Sequence, residues 1–282
     1  MGQSILSIAK QNQIEFFIKK HNIQILHLQE TFIEEHTFQS CNFICDNFQI
    51  LFINNESKYG VCSLVHRSLP TSNEVFHPSG RILAFDVEDF SFINIYLPSG
   101  TDSPTKAARE DLIGEALPNI LLHRKHSGLA GGDYNCIVSS LDTTSNHEQK
   151  ISPNLKRLIS IKEWSDTFRQ LHPDKKVFSH YYKRTAADGS VSQGGSRLDR
   201  SYLWGQRTII SSSYECVAFS DHFAHLVQIP GGHETSSTNE MPNFKPNFKI
   251  SPEVAEDETF IENVKIMVIN IWLKSLMRNI CV

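Results

Sequence analysis

The sequence predicts an α/β (α+β) protein in which two mixed sheets pack face to face and helices cover their outer faces. Three observations carry this. Short apolar runs of strand length recur along the chain, bounded by turn residues. Longer segments of helical periodicity stand between some of them. At 282 residues the chain can bury a core of that size.

Residues 7–20 predict an amphipathic helix, because Ile14, Phe17 and Ile18 share a face and Gln, Glu and Lys lie between them. "NIQILHLQE" predicts a buried strand: Ile23, Ile25, Leu26 and Leu28 are grouped and charge arrives only at Glu30. "FQILFIN" (48–54), "GVCSLVHR" (60–67), "RILAFDVE" (81–88) and "FSFINIYLP" (90–98) predict four more strands, the last two joined as a hairpin. A long helix follows over roughly 103–125, with Ala108, Leu112, Ile113, Ala116, Ile120 and Leu121 on one face and a kink at Pro118. After "SGLAGGDYNCI" come a helical segment over 153–170 and the strand-like runs "VFSHYYK", "SRLDRSYLWG", "ECVAF" and "FAHLVQI". The main domain is expected over 1–229. Residues 230–250, rich in Pro, Gly, Ser, Thr and Asn, read as a linker. Residues 251–282 predict a C-terminal helix, with Ser251 as N-cap, Pro252 at the first helical position and an apolar stripe of Phe260, Val264, Met267 and Ile271.

Composition narrows the function classes. Net charge is −4, so no global basic field draws the chain to nucleic acid, although a local patch with a metal ion is compatible with it. The six cysteines form no CxxC pair and read as free thiols in a reducing compartment. The N-terminus lacks the pattern of a signal peptide, and "VKIMVINIWLKSLM" is broken by lysines and too short to span a bilayer. The expected location is the nucleus or cytoplasm, with no secretion and no membrane partner.

Polar residues collect at the ends of the apolar runs. "LHLQET" ends in Glu30, "INIYLPS" carries Tyr96, and "LAGGDYN" carries Asp133 and Asn135. "GGSRLDRSYL" carries Asp199, and "AFSDHFAHLV" carries Ser220, Asp221 and His222. Each has an ordinary explanation. Glu30 reads as a solvated residue after a strand, Asp133 and Asn135 as turn formers, Asp199 as an ion-pair partner of Arg197 or Arg200, Asp221–His222 as a cap, and Tyr96 as core. Together they point to chemistry. Acids converging at strand ends repel one another, a divalent cation relieves that repulsion, and hard oxygen ligands suit Mg²⁺. Carboxylates, an amide, a His beside an Asp and a phenol fit the hydrolysis of a phosphate ester.

The ordered set "LQET", "NIYLPS", "GGDYN", "SRLDR" and "SDH" resembles the endonuclease/exonuclease/phosphatase superfamily. That superfamily includes deoxyribonuclease I, exonuclease III, the apurinic/apyrimidinic endonucleases and some lipid phosphodiesterases. The resemblance covers roughly Ile8 to Ile229. More narrowly, "GGDYNCIVSSLDTT", "HPDKKVFSHYY", "GGSRLDRSYLW" and "AFSDHFAHLV" look like the endonuclease domain of LINE-type (non-LTR) retrotransposon polyproteins. "FKPNFKISPEVAEDETFIENVK" looks like the segment that leads from that domain to a reverse transcriptase.

The resemblance implies a deoxyribonuclease I-like four-layer sandwich and a monomeric metal-dependent DNA endonuclease. Mg²⁺, or Mn²⁺ in its place, would be the cofactor, DNA the substrate, and a reverse transcriptase domain the partner in the full-length element. It implies that Glu30 binds the metal and that Asp221 assists there. Asp133 would handle the attacking water and Asn135 the scissile phosphate. His222 would contact the phosphate, oriented by Asp199, with Tyr96 as a further hydrogen-bond donor. Ser220, Arg197 and Arg200 are candidate nucleic-acid contacts. The product would be a nick with a 3′-hydroxyl.

The chain departs from the family in one respect. Family members begin with a strand ending in an Asn-bearing turn, whereas here a helix starts almost at Met1 and Asn12 lies inside it. The expectation is therefore a domain lacking its first strand, with an exposed sheet edge, no Asn to take the role, and impaired activity. The alternatives are a repair nuclease of the exonuclease III or abasic-site kind, and a non-catalytic remnant. A lipid phosphodiesterase is disfavoured by the retrotransposon-like tail.

Overall fold

Which apolar runs become strands is decided by whether both of their faces can be buried. In the computed structural model, residues 8–31, 47–52, 60–144, 151–185, 188–230 and 266–272 are described, the last segment as backbone. Helix α1 (Ile8–His21) leads into β1 (Ile25–Gln29), which is buried at every position. β2 (Phe48–Phe52) and β3 (Val61–His66) follow, then β4 (Thr71–Phe76), β5 (Ile82–Val87) and β6 (Phe90–Tyr96). Helix α2 (Ser103–Asp111) continues through a π-helical turn (Leu112–Ala116) into α3 (Leu117–Leu121). The kink expected at Pro118 thus appears as a widened turn just ahead of it, where the helix absorbs the missing hydrogen bond. β7 (Ser127–Asp133) precedes α4 (Pro153–Ile161), β8 (Ser165–Asp166) and α5 (Thr167–Leu171). The single helix expected over 153–170 is therefore interrupted, and Asp166 restarts it by accepting from the backbone N–H groups of Phe168 and Arg169. β9 (His180–Thr185), β10 (Val191–Ser196), β11 (Asp199–Trp204), β12 (Ser211–Glu215), β13 (Ala224–Ile229) and β14 (Ile266–Trp272) complete the elements.

The strands form two six-stranded sheets, in the orders β12-β13-β14-β1-β3-β2 and β4-β5-β6-β7-β11-β8, with β9 and β10 as a separate hairpin. Ile25, Val65, Phe85, Phe92, Leu129, Leu203 and Val227 fill the space between the sheets. Ile14, Phe17 and Ile18 of α1 pack on the outer face of the first sheet against Leu26, Leu28 and Leu64. Ile113, Leu117, Leu155 and Leu158 cover the outer face of the second sheet against Ile93, Ile95 and Ala130. The result is the expected α/β sandwich of two mixed sheets with outer helices. Among the described residues no helix is long and apolar enough to cross a membrane. Cys62 and Cys136 are buried free thiols and Cys216 an exposed one.

Two expectations are corrected at β14. Residues 266–272 are a strand, not part of a helix. "IMVINIW" is a nearly unbroken run rich in β-branched residues, which suits a central strand better than its helical spacing suggests. That strand lies parallel to β1 and antiparallel to β13, with Ile229 in register with Ile266. β1 therefore has no exposed edge, and Asn270 stands in backbone register with His27 and His225. The exposed edge expected from a missing first strand is therefore not at β1, which lies between β14 and β3. The linker at 231–250 and the proposed helical start at 251–265 lie outside the described residues.

Candidate active site

Register builds the site. β6 and β7 run parallel with Tyr96 opposite Asp133, and β11 runs antiparallel to β7 with Asp199 opposite Asp133. Three neighbouring strands thus end level on one phenol and two acids. Two carboxylates as direct cross-strand neighbours are a repulsive pair that no stability argument would select. From the other sheet, β1 delivers Glu30 and the turn before β13 delivers His222.

The backbone is bent to aim these groups. Glu30 and Asn135 both adopt left-handed conformations, at φ 52 and 47. For Asn this is tolerated, while for Glu it is uncommon and redirects a side chain at a strand end. Tyr96 donates its hydroxyl hydrogen to Glu30 Oε1 across the gap between the sheets. Asp133 Oδ1 accepts from the backbone N–H of Asn135 at 2.9 Å, and Asp133 Oδ2 accepts from Asn135 Nδ2 at 2.9 Å. Asn135 Nδ2 also donates to the carbonyl of Leu97 at 2.8 Å, so this amide first of all fixes the Asp133 carboxylate. His222 Nδ1 lies 2.7 Å from Asp199 Oδ2.

Electrostatics follow from this packing. Burial, and then the Asp199 carboxylate, push the Asp133 carboxyl up to about 7. Burial alone would lower His222, but Asp199 and then Asp133 outweigh it and raise the imidazole to about 9. Burial and the facing Glu30 hold the Tyr96 phenol well above its ordinary value, so it stays a neutral donor. Asp133, Asp199 and His222 offer ligand atoms within 4.8 Å of one another, all three residues being buried. Asp199 Oδ1 is buried without a hydrogen-bond partner among the described residues. A buried carboxylate oxygen left open beside a second carboxylate is a donor set that fits a hard divalent cation.

The other candidates fall differently. Asp221 is exposed, near Lys10, and outside that cluster. Ser220 Oγ accepts from the backbone N–H of His222 at 3.0 Å and shapes the turn. Arg197 and Arg200 are fully buried and present no surface to DNA, which corrects their expected role. Arg197 holds Asp142 through Nε at 2.8 Å and forks onto Asp166 at 3.0 and 2.6 Å, while Arg200 donates to the carbonyl of Arg197 at 2.7 Å. Sequence reasoning passed over Arg81, whose guanidinium lies 4.8 Å above the Tyr96 ring. It also passed over a cleft of about 330 Å³ beside Asn135, lined among others by Thr101, Lys106, Tyr182 and Lys183. Gly132, at φ 144, sits so close to β6 that a Cβ would lie 1.9 Å from the Ile95 carbonyl oxygen.

Solved structures share this arrangement of elements. An AP endonuclease from Archaeoglobus fulgidus matches with a TM-score of 0.64 at 17% identity, over 79% of this chain and 94% of that one. The fold is theirs in common. The catalytic domain of Xenopus laevis APE2 matches at 0.61 and 18% identity, over 80% of this chain and 90% of that one. The 3′ phosphatase NExo from Neisseria, bound to a product DNA hairpin, matches at 0.60 and 17%, over 79% and 94%. No family model matches the sequence, and no curated protein does.

Proposed function

We propose that the protein is a divalent-metal-dependent phosphodiester hydrolase that nicks DNA and leaves a 3′-hydroxyl. The observation that carries this reading is the buried Asp133–Asp199–His222 group with its open Asp199 oxygen. The shared fold with DNA-processing enzymes supports it. Glu30, Asp133 and Asp199 would hold Mg²⁺ or Mn²⁺, with exposed Asp221 assisting from the rim. The ion would supply charge stabilisation for the phosphoryl oxygens.

The chain's own groups do the rest. Asp133, steadied by Asn135, positions the attacking water and takes its proton. His222 has its Nδ1 on Asp199, so its Nε2 is the nitrogen for a phosphate oxygen. Tyr96 would donate to the same phosphate by exchanging its present bond to Glu30. Asn135 reaches the phosphate only by exchanging one of its present bonds. Lys106 and Lys183, along the adjacent cleft, give the flanking backbone two cations, and Ser220 is a further candidate contact.

The sequence motifs favour a retrotransposon endonuclease with a reverse transcriptase domain as its partner in a longer polyprotein. The AP endonuclease structures favour a second reading, a nuclease for abasic sites. Parallel cleavage of an abasic-site duplex and the same duplex without the lesion separates them. Strong preference for the lesion supports repair, and equal cleavage supports the retrotransposon reading. No cleavage of either, with Asp133→Asn indistinguishable from the parent, would mark a non-catalytic remnant.

A further inference from the structure

Behind Glu30 and Tyr96 the space between the sheets changes character. Much of it is filled by Phe, Leu, Ile and Val, but here, as at the separate Ser201–His225 contact, it is polar. Asn94 of β6 is fully buried. Its Nδ2 donates to the carbonyls of Cys62 at 2.9 Å and Leu28 at 3.3 Å and to Ser63 Oγ at 3.2 Å. Its Oδ1 accepts from Gln29 Nε2 at 2.7 Å. One side chain of the second sheet therefore grips both β1 and β3 of the first. Ser63 Oγ in turn lies 2.8 Å from His27 Nδ1.

This network is costly for what it gives stability. Gln29 Oε1 and His27 Nε2 are buried without hydrogen-bond partners among the described residues. Each such group carries a desolvation penalty of roughly 1–3 kcal/mol. An aliphatic pair of similar volume would pack the same space without that penalty. What the amides add is a fixed offset between the sheets, because apolar contacts tolerate sliding and hydrogen bonds do not. The offset matters one step away. Gln29 precedes Glu30, and Asn94 lies two residues before Tyr96 on the same face of β6, so the two cross-sheet contacts run side by side.

We propose that Gln29 and Asn94 form a cross-sheet amide clamp that sets Glu30 against Tyr96, which makes them positioning residues of the hydrolytic site. The clamp deepens the reading of the site as a metal-dependent hydrolase and rests on it. Supporting groups of this kind change metal affinity or activity by about 10–100-fold when removed.

The test uses the full chain in three variants. Gln29→Leu keeps volume and removes the bond to Asn94. Asn94→Ala removes the whole clamp. Ser91→Ala removes buried bonds to Asp86 and Lys125 at the other end of β6 and serves as the control for stability. Mn²⁺ binding by calorimetry without DNA, nicking kinetics, and the Tyr96 ring resonances, assigned against Tyr96→Phe, are measured together. Gln29→Leu and Asn94→Ala should shift the Tyr96 resonances, weaken Mn²⁺ about tenfold and lower kcat about tenfold, with KM for DNA within about twofold. Ser91→Ala should lower Tm while leaving all of these near the parent. If Asn94→Ala does not fold, Gln29→Leu decides. Unmoved Tyr96 resonances in Gln29→Leu would overturn the clamp whatever the activity. A parent chain that neither binds Mn²⁺ nor nicks DNA would overturn the hydrolase reading instead, and the resonances would still judge the clamp.

Discussion

Replacing Asp133 by Asn should destroy activity and yet stabilise the protein, but only at high pH. The folded carboxyl titrates near 7 and the unfolded one at 3.8. Between those values the folded chain holds one proton more than the unfolded chain, so stability falls by about 1.4 kcal/mol per pH unit as pH rises. The full penalty, about 4 kcal/mol, is in place above pH 7 and absent below pH 4. Asn removes that penalty and keeps an acceptor for the backbone N–H of Asn135. It also turns its amide nitrogen toward Asn135 Nδ2, a mismatch worth about 1–3 kcal/mol. The variant should therefore be less stable than the parent at pH 4.5 and more stable, by about 1–3 kcal/mol, at pH 8. Urea unfolding in EDTA at the two pH values measures the difference. The His222 imidazole, raised to about 9, adds stability that is full below its ordinary 6.5 and lost as pH rises through 9; part of that rise comes from the Asp133 carboxylate, so the variant keeps the share due to Asp199 and loses the rest. An equal loss of stability in the Asp133→Asn variant at both pH values would refute the assignment of Asp133 as a buried, strained carboxylate. Nicking should fall by about 10²–10⁴-fold in the same variant.

Three further outcomes follow from the packing. Gly132→Ala should cost about 3 kcal/mol or more, since the backbone conformation is nearly Gly-only and the methyl would meet the Ile95 carbonyl; a thermal melt within a degree of the parent would contradict this. Arg197→Met should lower stability by about 3–5 kcal/mol by taking the cation from Asp166 and leaving Asp142 with Arg169, while DNA affinity of the folded fraction and its salt dependence stay unchanged; a smaller salt slope would restore the residue as a phosphate contact. Val268→Pro should lower the melting temperature and nicking together, because β14 is a central strand between β1 and β13; an unchanged melt would place residues 266–272 outside the sheet.

Much of the sandwich can be read from the sequence, for a physical reason. β1, β3, β5, β6, β11 and β13 are buried on both faces and so appear as apolar runs. β4 is largely exposed and its "TSNEVF" carries no such signal, and β10 opens on three exposed residues. β14 combines helical spacing with β-branched composition, and only its neighbours β1 and β13 decide between them. At the site, the strand-end position of Tyr96, Asp133 and Asp199 was legible because the first two close apolar runs and the third opens one. The burial of Arg197 was not, since its partners Asp142 and Asp166 lie 55 and 31 residues away. Gln29 and Asn94 were hidden for the same reason: "HLQE" and "INIY" look like ordinary strand ends until the sheets are stacked.

Metal-dependent nicking by the Asp133 site is tested by incubating the full chain and its Asp133→Asn variant with supercoiled plasmid in Mg²⁺ and in EDTA. Open circles with 3′-hydroxyl ends are expected from the parent in Mg²⁺ alone. Nicking that persists in EDTA, or that the variant performs at the parent's rate, would contradict the proposed hydrolytic site.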